Sequence, residues 1–287
     1  MSRISDVLKL IEFPAEATEY FEEVFAKTEG DENLMFRLDK MEKMYFETFN
    51  SDELEEKLDE FSKASGYHRY TVDMLLAVYC CIKLRKMYAE KGFDDSFFAH
   101  TMKDLTYKLN ECKKLHDIWG TFVFKWFDGF YKMKRFTLGR LQYEPYVTNY
   151  SYKDIIKEGD TVINMHIPSS GPLTPCSVQE SLQLAYDFFG PNNGDKLVIV
   201  CHSWLLYPPV AELFPEGSNM RRFYEVFDIF NQVEEPNDYD LWRVFYVNTK
   251  DYASLPQNTS LQKSFYTYLN DGNHFGNGYG AIVYKPE

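Results

Sequence analysis

No stretch of this sequence is long and apolar enough to cross a membrane; every apolar run falls well short of the ~18 residues a spanning helix needs. The opening residues, MSRISDVLKLIEFPAEATEYF, carry charges inside their apolar stretch and lack the uninterrupted core of a signal peptide. A soluble, cytoplasmic protein is the expectation. Cysteine is scarce: Cys80, Cys81, Cys112, Cys176 and Cys201 form no C-x-x-C pair and are odd in number. That excludes a disulfide framework, argues against a zinc site and fits reduced thiols. Positive charge is also short. Against 44 acidic residues stand 31 Lys and Arg, a net charge of −13. With no basic stripe to displace counterions, nucleic acid is a poor partner. There is no G-x-S-x-G nucleophile elbow and no internal repeat.

Aromatic and apolar material, by contrast, is abundant. Hydrophobic residues make up 45% of the 287, with 24 Phe and 22 Tyr, which is enough for a packed core and for two domains. The charge is uneven: residues 1–60 alone carry a net −11, and the other 227 residues only −2. The acidic segment reads as solvated helix faces that would repel a polyanionic ligand.

Apolar residues recur at helical spacing through the first half. Val7, Leu8, Leu10 and Ile11 come before Pro14; Tyr20, Phe21, Val24 and Phe25 follow. Leu34, Met35, Leu38, Met41, Tyr45 and Phe46 make another stripe. Asn50 and Glu53 read as a capping box for a helix over 51–63, and the apolar run Thr71–Tyr88 as the domain's central helix. Helices over 95–118 and 121–133 complete an all-helical domain 1–134. After that the period changes. Strands are expected at 136–146, 161–168, 196–206, 241–248 and 278–285, with helices at 177–189, 218–230 and 257–270 between them. Such alternation predicts an α/β domain over 135–287.

Two stretches carry the candidate chemistry. VINMHIP, SSGPLTP and CSVQESLQLAYDFF read as strand, loop and helix, and no Asp or Glu occurs from Thr161 to Gln179. A helix N-terminus in such a neighbourhood attracts anions, although an ordinary capping loop would look the same. KLVIVCHSWLL sets Cys201, His202, Ser203 and Trp204 at the end of a buried strand, where open sheets line their crevices. A hydrolase using Cys201 or Ser203 is the weaker reading, because no elbow is present and neighbours on a strand point to opposite faces. His166 and His202 both fall at strand ends, and both are acid–base candidates.

FTLGRLQYEP, INMHIPSSGPLTP, CHSWLL and SNMRRFYEVF together resemble a bacterial N-acyltransferase family. That family joins a helical N-terminal domain to a GNAT-like C-terminal domain. The likeness spans 134–287, with the first half similar in architecture only, and SSGPLTP stands where Q/R-x-x-G-x-G/A is usual. The resemblance implies a mixed-sheet α/β fold that moves an acyl group, acetyl foremost, from a CoA thioester to an unknown amine, with no metal. It implies that strand 161–168, loop 169–176 and helix 177–189 hold the CoA pyrophosphate through backbone N–H groups. Ser169, Ser170, Gly171, Leu173, Thr174 and Asn219 are the implied CoA contacts. Strand 196–204 is implied to splay from 161–168 and admit the pantetheine arm. His166, His202 or Glu144 is the implied base, and Tyr224 the implied acid for the leaving thiolate. Arg140 and Glu144, on the strand 136–146, are candidates to face the acceptor, with a cross-strand or surface ion pair as the equal alternative, and Ser203 and Trp204 are further acceptor-side candidates. The competing class is a CoA-binding or protein-interaction module without turnover.

Overall fold

The computed structural model describes residues 4–286, and the chain divides into two compact units, Met1–Arg135 and Phe136–Glu287. Among the described residues the first unit contains helices and no strand. Its longest helix, Arg69–Glu90, buries every residue from Thr71 to Cys81. A helix apolar on all sides has to lie in the middle of its unit, and the others lay single apolar faces on it. Helix Glu32–Thr48 begins at Asp31, whose carboxylate accepts from the N–H groups of Asn33 and Leu34 at 2.9 and 3.1 Å. The expected helix 51–63 is instead a 3₁₀ turn, Ser51–Leu54, followed by helix Glu55–Ser65. Asn50 caps the turn and not the helix: its Oδ1 accepts from Asp52 N at 3.3 Å and its Nδ2 donates to Glu53 at 3.1 Å. Among the described residues no helix is long and apolar enough to cross a membrane.

The second unit is one mixed sheet with helices. Its strands are β1 (Phe136–Leu138), β2 (Leu141–Val147), β3 (Thr161–His166), β4 (Leu197–Ser203), β5 (Asp228–Glu234) and β6 (Gly276–Tyr284). Their order across the sheet is β1-β2-β3-β4-β6-β5. Only β3 and β4 run parallel, joined by helix Pro175–Phe189. The segment FTLGRLQYEPY, expected as one strand, is the hairpin β1–β2: Leu138 pairs with Leu141 across a turn at Gly139–Arg140, with Gly139 at φ +66°.

Two sequence expectations fail after β4. Residues 218–230 do not stay helical; the helix is Asn219–Tyr224, and β5 follows on the sheet edge. The expected strand 241–248 is a helix, Leu241–Phe245. Its buried residues Leu241, Trp242, Val244 and Phe245 follow helical spacing, where a strand would have alternated.

Alternation sorts the sheet into two faces. Tyr143, Ile163, Met165, Ile199, Cys201 and Tyr284 share one, the face of helix Pro175–Phe189. Tyr143 and Tyr284 reach it through Ser181 (3.0 Å) and Gln183 (2.9 Å). Glu144, Asn164, His166, Val200, His202 and Tyr279 share the other. Near its base that second face is closed by Tyr152 and Ile156, which pack on Val162, Val198, Val200 and Ala281.

Candidate active site

The pairing of β3 with β4 stops before either strand ends. Their parallel ladder consists of Ile163–Ile199, Asn164–Val200 and Met165–Cys201 and goes no further. On the outer sides the ladders continue. Gln142 of β2 still pairs with His166, and Tyr279 and Gly278 of β6 still pair with His202 and Ser203. Each strand is still paired on its outer side where the ladder between them stops, which leaves a gap in the pairing there. Backbone groups turned toward the gap are strand-like partners for an extended amide-bearing chain.

Beyond β3 lies the loop 167–174. Pro168 and Pro172 remove two donors and stiffen it. Thr174 Oγ1 accepts from Ser177 N at 3.2 Å, and Pro175 occupies the first helical position, where a missing N–H costs nothing. Val178 N is taken by the Thr174 carbonyl at 3.0 Å, so the first-turn donor left for a ligand is that of Cys176. Gly171 has φ +114°, and a Cβ there would meet nothing within 4 Å; the loop faces open space at this point. Ser169 is exposed and Ser170 half-buried, while the Leu173 side chain is buried and anchors the loop from below.

The second face of the sheet carries the acid–base groups. Register sets Glu144 opposite Asn164, and His166 lies two residues on, along the same face. His166 Nε2 is 2.7 Å from Glu144 Oε1 and 3.3 Å from Asn164 Nδ2. A carboxylate at that distance takes a hydrogen from Nε2, which leaves the lone pair on Nδ1. The His166 and Glu144 side chains are 17% and 19% exposed, open enough for a substrate to reach. Across the gap, His202 stacks on Tyr279 with centroids 4.1 Å apart and planes at 18°. Burial holds the His202 pKa below the usual histidine value, against the pull of Asp240 and Glu235, so the ring is neutral at pH 7. Tyr150 borders this surface; burial, then its neighbours Tyr146 and Tyr279, push its phenol up to about 12.

The remaining sequence candidates lie on the neighbouring elements. Arg140 turns to the loop: Nη2 donates to the Gly171 carbonyl at 2.7 Å and Nε to that of Pro172 at 3.3 Å. Ser203 caps the 3₁₀ turn Trp204–Leu206 by accepting from Leu205 N at 3.2 Å. Trp204 packs edge-on to Phe214, Phe265 and Phe275, centroids 6.3, 6.0 and 6.1 Å away. Asn219 and Tyr224 are the two ends of the helix Asn219–Tyr224, which packs beside helix Pro175–Phe189; the Arg221 guanidinium lies 5.6 Å from the Tyr224 ring. Sequence reading missed Asn164 and Tyr279. The first was within reach, since period 2 places it on the face of His166; the second lies 77 residues from the histidine it stacks on.

Cys201 belongs to the helix face, opposite His202, and burial pushes its thiol up to about 12. A thiol kept protonated there is no nucleophile. Cys201→Ala is expected to keep turnover within about threefold of the parent, as for a change remote from the reacting atoms. An acyl adduct found on Cys201 by mass spectrometry would contradict this.

The sequence matches the family described as the GNAT-like C-terminal domain over residues 136–282 and the N-acyltransferase N-terminal domain over residues 2–133. Among curated proteins none matches. The fold is similar to the crystal structure of an acyltransferase in complex with decanoyl-CoA and teicoplanin, at TM-score 0.75 and 21% identity over 97% of this chain and 86% of that one. It is similar also to an acyltransferase in complex with decanoyl-CoA, at TM-score 0.75 and 24% identity over 96% of this chain and 86% of that one. A third similar structure is an acyltransferase in complex with CoA and 10C-teicoplanin, at TM-score 0.74 and 21% identity over 97% and 86%.

Proposed function

The chain belongs to the GNAT-like C-terminal domain family, with an N-acyltransferase N-terminal domain before it, and on that premise we propose that it carries an acyl group from a CoA thioester to an amine by direct transfer. The observation that carries this reading is the end of the β3–β4 ladder beside the His166–Glu144 pair. The pantetheine arm enters the gap and pairs with strand backbone. The pyrophosphate lies on loop 169–174 and the first turn of helix Pro175–Phe189, where the dipole and N–H groups favour an anion. Ser169, Ser170, Gly171, Leu173 and Thr174 line it, and Asn219 flanks it.

An ammonium ion has no lone pair, so the acceptor must lose a proton before it attacks. His166 is the base we favour, because Glu144 sets its tautomer and stabilises the imidazolium that forms. The deprotonated amine adds to the thioester carbonyl, the tetrahedral intermediate collapses, and the C–S bond breaks. The thiolate takes a proton from Tyr224, an assignment supported by the family resemblance. His202 and Tyr279 offer a flat surface to the acceptor across the gap.

The test is thiol release from a donor series, acetyl-CoA to decanoyl-CoA, against primary alkylamines, amino sugars and amino acids, with the N-acyl product read by mass. The donor series also settles chain length: acetyl leads by family resemblance, octanoyl and decanoyl by the ligands of the similar structures. CoA binding with no amine-dependent thiol release from any donor would favour a module without turnover.

Loop variants test the donor site separately. Gly171→Val puts a branched side chain at φ +114°, and Thr174→Glu puts an anion where phosphate would sit. Each is expected to weaken CoA binding at least ~10-fold, about 1.4 kcal/mol, with the circular-dichroism spectrum of the parent. Folded variants that bind acyl-CoA as the parent does would reduce the loop to a mere connection.

A further inference from the structure

We infer that Arg140 is a positioning residue for the CoA pyrophosphate: it holds loop 169–174 from the hairpin β1–β2 and aims the loop's few N–H groups at the ligand. The inference rests on the acyl-CoA reading above.

Arg140 starts from an anchored base. Ser181, on helix Pro175–Phe189, accepts from Leu141 N at 3.1 Å and donates to the Leu138 carbonyl, which ties both sides of the hairpin turn to the helix. The turn also lies directly on that helix, for a Cβ on Gly139 would approach Leu184 and Ser181 to 3.2–3.4 Å. From there the guanidinium reaches the loop that leads into the same helix, donating to the Gly171 carbonyl at 2.7 Å and the Pro172 carbonyl at 3.3 Å. Loop, helix and hairpin therefore form one closed circuit of contacts.

The consequence follows from peptide geometry. In a trans peptide the C=O and N–H point to opposite sides. Of the two peptides Arg140 holds, that between Gly171 and Pro172 has no N–H. That between Pro172 and Leu173 has one, and drawing its carbonyl to the guanidinium turns the Leu173 N–H the other way. In a loop where Pro172 has no N–H and Pro168 and Pro175 stand on either side, the direction of one donor is a large share of what a phosphate can find. The guanidinium also adds a positive charge beneath a segment that has no acidic residue from Thr161 to Gln179. Lysine cannot replace the fork, because a single ammonium on a flexible stem does not hold two carbonyls in a fixed plane.

The experiment compares two donors that differ in the pyrophosphate: acyl-CoA and the matching S-acyl-pantetheine. CoA binding to the parent is measured first by calorimetry. For Arg140→Gln, kcat/KM with acyl-CoA is expected to fall ~10-fold or more, while kcat/KM with acyl-pantetheine stays within about twofold, since a contact serves only the ligand group it orients. Arg140→Lys should recover only part of the loss. Should Arg140→Gln not stay folded, Arg140→Lys is read by the same comparison. Equal losses with both donors, or no loss with either, overturn the positioning role. A parent that binds no CoA overturns the acyltransferase reading and this role with it; a parent that binds CoA and is indifferent to Arg140 overturns the positioning role alone.

Discussion

Replacing His166 by alanine is expected to lower kcat by about 10²–10⁴-fold, the usual worth of a general base, and to leave CoA affinity within about twofold. The imidazole is on the face of the sheet away from helix Pro175–Phe189, whose first turn is the proposed seat of the pyrophosphate. Glu144→Gln is a milder version of the same change. The amide is nearly isosteric but donates as well as accepts, so it no longer enforces a hydrogen on Nε2 and no longer stabilises the imidazolium. Its kcat should lie between those of the parent and His166→Ala, with KM for acyl-CoA little altered. Removing both groups should cost no more than removing His166 alone, because the carboxylate acts through the ring. Initial rates at saturating donor and acceptor, with CoA affinity from calorimetry, separate these effects. If His166→Ala keeps kcat within threefold and His202→Ala does not, the base lies on β4 and this assignment is wrong.

Gly278→Ala is expected to destabilise the C-terminal unit by about 3–5 kcal/mol, the range of changes that force a packed backbone apart. A Cβ at Gly278 would sit 1.8 Å from the Leu206 carbonyl oxygen, 2.2 Å from its carbon and 2.8 Å from Tyr207 N. All three are backbone atoms, so no side-chain rotation relieves the clash. The turn Trp204–Leu206 would have to lift off β6. That turn follows directly on β4, which ends with His202 and Ser203, so a folded remnant should lose activity too. Gly159→Ala is the control: φ there is +90° in open space, so the cost is backbone strain of about 1–3 kcal/mol with no collision. Urea unfolding with hydrogen exchange on the β6 amides measures both. A Gly278→Ala protein as stable as the parent would mean that the turn yields freely.

Local chemistry was legible in the sequence. The 3–4 spacing of Leu34, Leu38, Met41 and Tyr45 announces a helix because one face of it must be buried. The helix expected from Ser177 starts two residues earlier, at Pro175, because the Thr174 hydroxyl satisfies an orphan N–H and proline has none to lose. The change of period near residue 134 announces a second kind of packing. What failed was decided by contacts between distant segments. LWRVF suits strand or helix by composition, and only its burial against the rest of the unit selects the helix. Asp228–Glu234 became a strand because β6 offered it an edge, with Phe230 as the extra residue between Ile229 and Asn231.

The candidate site itself was legible as residue types but not as an arrangement. Strand ends with histidine and an acid-free loop could be read in order along the chain. That His166 meets Glu144 depends on the register of β2 against β3, and a shift of one residue would send the two to opposite faces. That the β3–β4 ladder ends at Met165 and Cys201 while β2 and β6 still pair with His166 and Ser203 involves residues far away in sequence. Arg140, read in sequence as an acceptor-side candidate, donates to the loop carbonyls of Gly171 and Pro172, a contact set by the hairpin turn and not by the residue type. Helices, caps and strand candidates answer to neighbours within four residues, and the sequence holds those. Register, strand separation and the direction of a long side chain answer to contacts between distant segments, and these exist only once the sheet has formed.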